Sequence, residues 1–183
     1  ADEPRHGISV ADRRPEDVAL IAVTKNASPD MIRQVVEMGQ ADLGENRAQQ
    51  LAQRVPQLRE FLGRRKTLAG AVSKPNSEMP EKVRWHMVGH LQRNKVKQIA
   101  DLVDMIHSVD SLRLAEELHN LGARQDTTID VLLQVNASGE ESKFGLAPPA
   151  VVPLAEQIDT MMHLRLRGLM TMAPFVDDPE QVR

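Results

Sequence analysis

The chain contains no cysteine and no tyrosine. The first absence excludes disulfide scaffolds, thiolate metal sites and cysteine nucleophiles, and fits a reducing cytosol. The second removes a phenolic acid or base from any mechanism this chain could run. Rings are scarce altogether, with one tryptophan and three phenylalanines, whereas proteins that grip single-stranded nucleic acid by stacking offer more of them. Nor does one charge dominate. Twenty-three basic against twenty-six acidic side chains leave a formal charge of −3, which draws the protein neither to nucleic acid nor to an anionic membrane and leaves small neutral or anionic ligands open. No apolar run is long enough to cross a membrane, and the opening ADEPRHGISVADRRPED has no apolar signal core. A cytoplasmic protein is the expectation.

What is present is a chain of 183 residues, 41% hydrophobic, which suits one domain with a sizeable core. Residues 1–17 read as a polar N-terminal segment and 18–183 as the domain. ALIAVTK (19–25) is a short apolar strand ending on a lysine; Ser28 then caps a helix with Pro29 at its first position, Ile32, Val35 and Val36 on its apolar side and Gly39 as its stop. ADLGEN (41–46) reads as a second strand, and helical spacing at Ala48, Leu51 and Val55 runs until Pro56 interrupts it. Residues 62–82, rich in Lys, Pro, Ser and Gly, read as a surface loop. The alternation then resumes. Strands are expected at 83–90, 104–109, 129–136 and 164–172, with helices at 91–103, at 110–122 with a stripe of Leu114, Leu118 and Leu121, and at about 149–160. Such alternation predicts an α/β fold with a parallel sheet, and we favour a TIM-type (β/α) barrel over an open doubly wound sheet. Six strand-helix units are two short of the usual eight, so the barrel is expected to be incomplete at its C-terminal side.

Lys25 is the first candidate for chemistry. It shares a strand face with Ile21 and Val23 and lies at the carboxyl end, where barrels keep their sites. An amine partly shielded by apolar neighbours is the kind of nucleophile that attacks an aldehyde, although a lysine snorkelling from a strand end explains the position equally. Gly44, Glu45 and Asn46 close the second strand with an amide and a carboxylate, residues that orient a ligand or simply turn the chain. His86 and His90 fall on one side of the third strand with His107 on the fourth, which suggests a metal, but no helical two-histidine motif supports it. Arg93, Lys95 and Lys97, and Lys143 in the loop SGEESKFG, are expected on the face that carries the site; as isolated charges they read as solvated surface. Arg165 and Arg167 make one face of the sixth strand cationic and require partners.

Taken together, AVTK, DLGENRAQQL, WHMVGHLQRNKVKQI, MIHSVDSLRLAEEL, VLLQVNASGEESKFGL and LRLRGLMTMAP resemble the YggS/PROSC family in order, from about residue 18 to 176. The resemblance implies an alanine-racemase-like barrel with pyridoxal 5′-phosphate (PLP) as cofactor, held on Lys25 as an internal aldimine. It implies a role in vitamin B6 and amino-acid homeostasis, PLP-dependent enzymes as clients, and no established turnover. Asn46, His86 and Met170 match residues expected around the cofactor ring. Lys143 matches a loop lysine near the pocket and Arg167 a strand residue of either side; neither is expected as a direct ligand. Two departures matter. Arg47 stands where many relatives carry tyrosine, and the serine- and glycine-rich turn and arginine-glycine pair that grip the phosphate in the family fall beyond Arg183. PLP is therefore expected to bind this chain more weakly than a longer one.

Two rival classes remain. A PLP-dependent racemase of the alanine-racemase type opposes a lysine with a tyrosine, usually supplied with a further domain. A metal-dependent barrel hydrolase would gather His86, His90 and His107 around one ion.

Overall fold

A computed structural model describes residues 14–72, 79–140, 142–174, 176–178 and 180. After a short 3-10 turn at Pro15–Asp17, the elements alternate as β1 (Ala22–Val23), α1 (Pro29–Glu37), β2 (Asp42–Glu45), α2 (Ala48–Val72), β3 (Arg84–Met87), α3 (Val96–Ile99), β4 (Met105–Val109), α4 (Leu112–Gln125), β5 (Ile129–Val135), α5 (Val151–Asp159) and β6 (Leu164–Thr171). All neighbouring strands pair in parallel, in the order β1-β2-β3-β4-β5-β6. That order decides between the two architectures left open by the sequence. A doubly wound sheet reverses direction at a switch point, whereas a barrel adds every new strand on the same side. The sheet is of the TIM-barrel type, with six consecutive strands.

The strands divide their side chains by alternation. Leu43, Trp85, Met87, Ile106, Val131 and Leu133 face the helices and are buried against Ile32, Val36, Leu51, Val55, Val96, Ile99, Leu114, Leu118, Leu121, Leu154 and Ile158. The opposite, inward face carries polar groups, among them Asp42, Arg84, His86 and His107, joined to one another by hydrogen bonds. Asp130 and Arg165, paired in register, belong to it too: Arg165 Nε lies 2.9 Å from Asp130 Oδ1, close enough for charge pairing though not aligned as a hydrogen bond. Arg167 Nε lies 3.6 Å from the other oxygen of the same carboxylate, so the sixth strand's cationic side has found its partner.

Local signals explain most element ends. The Ser28 hydroxyl accepts from the Met31 N–H, Pro29 occupies the first helical position and Gly39 follows at φ 99°. Three expectations need correction. The second helix does not stop at Pro56 but continues through it to Val72. Much of the stretch read as a surface loop from residue 62 is therefore helix, while 73–78 lie outside the described residues. The helix expected over 91–103 shrinks to a 3-10 turn at Arg93–Lys95 and the single turn of α3. Ser111 precedes α4, yet its side chain makes no cap hydrogen bond.

Candidate functional site

At the carboxyl end of β1 the chain makes a tight turn: the Ala27 N–H donates to the Thr24 carbonyl at 2.8 Å, which leaves Lys25 and Asn26 as the two central residues. Lys25 is exposed there. It is not shielded by apolar strand neighbours as its sequence context suggests, because β1 has already ended at Val23. The turn is braced from below. Thr24 is 4% exposed and its hydroxyl lies 2.9 Å from Glu45 Oε2 and 3.1 Å from the Gly44 carbonyl, with one proton to give. Glu45, fully buried, also accepts the Asn46 N–H on Oε1 at 3.0 Å and forms an ion pair with Arg54 of α2.

Asn46 follows directly at the end of β2, two residues beyond the Val23–Gly44 register pair and so opposite the Lys25 turn. Its Oδ1 is buried without a hydrogen-bond partner. An unpaired buried polar atom is costly and asks for a donor. Gln134, on the inward face of β5, repeats the pattern: its Nε2 donates to the Phe144 carbonyl at 3.2 Å while its Oε1 has no partner. Met170 pairs in register with Gln134 on β6 and is half-buried. Close packing sets the position of Asn46. A Cβ added to Gly89, just past β3, would lie 2.2 Å from the Asn46 carbonyl oxygen, so only glycine lets these two strand ends touch.

His86 lies one layer deeper, in register with Gly44. Arg84 grips the Asp42 carboxylate through two bonds, Nε to Oδ1 at 2.6 Å and Nη2 to Oδ2 at 2.5 Å. This guanidinium, aided by His86 and opposed by burial, holds the Asp42 carboxyl below the usual carboxylate range. A carboxylate only accepts, so the proton between it and His86 sits on His86 Nε2, 3.0 Å away. His86 Nδ1 lies 2.9 Å from His107 Nε2, a hydrogen bond that ties the two rings together. Burial first, and the charge on His86 second, push the His107 pKa down to about 4. The result is a hydrogen-bonded imidazole pair anchored to an Asp-Arg ion pair.

The histidines do not form one cluster. His90 turns away to Asp110, Nδ1 to Oδ2 at 3.3 Å, and stacks on Phe144 with ring centroids 4.0 Å apart. It thereby links the loops after β3, β4 and β5. Among the described residues no group of three or more His, Asp or Glu side chains is arranged to hold a metal ion. Lys143 folds back on its own loop, Nζ to Glu140 Oε1 at 2.6 Å. Arg93 and Lys97 line an open depression with Glu117 in the middle of α4, on the helical side rather than beside Lys25.

Sequence reasoning singled out Lys25 and Asn46, which follow the paired ends of β1 and β2, but did not single out Arg54, Asp42, Gln134 or Gly89. The signal for Arg54 was a charge between Leu51, Val55 and Leu58 on the buried stripe of a helix, which demands a partner. For Asp42 it was an acid on a strand beside another strand's arginine.

Comparison with known proteins decides the relationship. The model of the alanine racemase N-terminal domain matches residues 4–183. The chain belongs to that family. Within it, the chain is 36% identical over 168 residues to a pyridoxal phosphate homeostasis protein of Pseudomonas aeruginosa, covering 92% of this chain and 64% of that one. It is 31% identical over 173 residues to the protein of the same name from Aquifex aeolicus, covering 94% and 67%. The solved structure of PipY from Synechococcus elongatus with PLP bound superposes with a TM-score of 0.74 at 29% identity over 93% of this chain and 70% of PipY. The chain spans about two thirds of the length of the curated relatives it matches. No described helix is long and apolar enough to cross a membrane.

Proposed function

We propose that this protein carries pyridoxal 5′-phosphate at the carboxyl ends of its strands, with the Lys25 amine as the covalent attachment point, and serves cytoplasmic vitamin B6 and amino-acid homeostasis rather than turnover. The observation that carries the proposal is the pairing of an exposed amine on a braced turn with Asn46, whose buried Oδ1 lacks a donor. These groups suit the aldehyde and polar edge of a pyridoxal ring. When bound, the cofactor's aldehyde carbon joins Lys25 Nζ in a carbon-nitrogen double bond with loss of water, which gives visible absorbance.

The chain's own residues divide the remaining work. Asn46 orients the ring edge, Met170 and Gln134 line the opposite side, and His86, fixed by Asp42 and His107, floors the site with its imidazole. The names of the relatives and the PLP held by PipY support this reading. The phosphate is assigned, on the family resemblance, to strand-end loops beyond β6, where such barrels commonly use a helix N-terminus and an arginine. Two opposed proton-transfer groups are needed to racemise an amino acid, and this chain offers no tyrosine to face Lys25.

The test is a titration of the full-length protein with PLP, followed by visible absorbance. Saturable absorbance that Lys25→Ala abolishes, without exchange of an amino acid's α-proton for deuterium, is the expected outcome. Unchanged absorbance in the variant would remove Lys25 from the account, and Lys25-dependent exchange would make the protein an enzyme.

A further inference from the structure

We infer that Arg54 is a positioning residue for Lys25: its guanidinium spans the turn that carries the lysine and sets the direction in which the amine is presented. The inference rests on the proposed attachment of PLP to Lys25.

The geometry is specific. Arg54 Nη1 donates to the Thr24 carbonyl at 2.5 Å, and Nη2 donates to the Ala27 carbonyl at 3.0 Å. These are the first and last residues of the turn whose central pair is Lys25 and Asn26, so one planar fork holds both ends of it. Nη1 also reaches the Thr24 hydroxyl at 3.3 Å and pairs with Glu45 Oε2. Glu45 is fully buried and the Arg54 side chain only 16% exposed, so water competes weakly for these bonds. Through Glu45 Oε1, which accepts the Asn46 N–H, the same ion pair also fixes the backbone of the other candidate ring contact. Lys25 and Asn46 follow the ends of two different strands, and this guanidinium-carboxylate pair joins the turn after one to the backbone after the other.

An exposed lysine has four rotatable side-chain bonds, and that of Lys25 makes no hydrogen bond or ion pair with the described residues. The backbone turn is what determines where the amine begins. Condensation with an aldehyde demands an amine aimed at the carbonyl carbon, and loss of that pre-organisation weakens the linkage without touching the rest of the ligand. A lysine at position 54 keeps the charge that Glu45 needs but is a point donor that cannot bridge two carbonyls at fixed spacing. A purely structural role for Arg54 would weaken stability and all ligand binding together.

The experiment compares full-length wild type, Arg54→Lys and Arg54→Met for two ligands: PLP, and 4′-deoxypyridoxine 5′-phosphate, which keeps ring and phosphate but has no aldehyde to condense. Melting temperature is followed in parallel. In Arg54→Lys we expect PLP affinity and the rate of appearance of visible absorbance to fall about tenfold or more, while deoxypyridoxine phosphate binds within about twofold of wild type. Arg54→Met leaves Glu45 unpaired and is expected to lower the melting temperature as well. Equal losses for both ligands in Arg54→Lys, or no loss for either, overturn the positioning role. If wild type itself gives no absorbance that depends on Lys25, the attachment proposal has failed and not merely this refinement of it.

Discussion

His107 is 9% exposed and hydrogen-bonded to its neighbour His86, and burial first, with Coulomb repulsion from a protonated His86 second, lowers its pKa from 6.5 to about 4. The folded chain thus binds this proton less readily than the unfolded one. Stability from this site is full above about pH 6.5 and is lost as pH falls toward 4. Between about pH 7 and pH 5 the loss is on the order of 2 kcal/mol. His107→Gln retains an N–H for His86 but does not titrate, so urea midpoints at the two pH values should converge relative to wild type. A variant with the same pH dependence as wild type would show that His107 does not carry it. Gly89 offers a second check at this scale. Because a Cβ there would collide with the Asn46 backbone, Gly89→Ala should displace Asn46 and weaken PLP binding at least tenfold while Lys25 still reacts; wild-type affinity would refute the contact. Lys25 was legible because its position depends on one strand's end, which the apolar run 19–23 marks. Arg54 was not, because its partners come from three segments that only the fold brings together.

The long helix α2 shows where local signals lose. A proline inside a helix removes one backbone bond and crowds the preceding turn, a cost of about 3 kcal/mol. Leu51, Val55 and Leu58 on the same helix are nearly or fully buried, and each such side chain contributes about 1.5–3 kcal/mol when taken from water. Burial wins, and the helix continues past Pro56. Pro56 is exposed, so Pro56→Ala should restore the missing bond without disturbing the core and stabilise the protein by about 1–3 kcal/mol, read as a higher urea midpoint. A lower midpoint would mean that the proline shapes a bend the packing needs. The opposite failure occurs at 91–103, where apolar spacing suggested a long helix but only Val96 and Ile99 of its short α3 find a buried face.

At the scale of the molecule, the strand-helix alternation was plain from the sequence, since short strand-like segments are separated by segments of helical apolar spacing. Strand order was not, because a doubly wound sheet and a barrel share the same local pattern and differ only in which edge each new strand joins. The parallel pairing of β1 to β6 sends every strand's carboxyl end to the same side. That side collects Lys25, Asn46, Gln134 and Met170, residues separated by as much as the length from the first strand to the sixth. The inward charges pair among themselves lower down, Asp42 with Arg84 and Asp130 with Arg165. This leaves the Lys25 amine as the group proposed to react at the strand ends. The most direct test is borohydride reduction of the full-length protein with PLP, followed by digestion and mass spectrometry. A pyridoxyl-phosphate mass on the peptide containing Lys25, and on no other lysine at equal yield, is the predicted result; a label spread evenly over Lys25, Lys95, Lys97 and Lys143 would contradict a built attachment site.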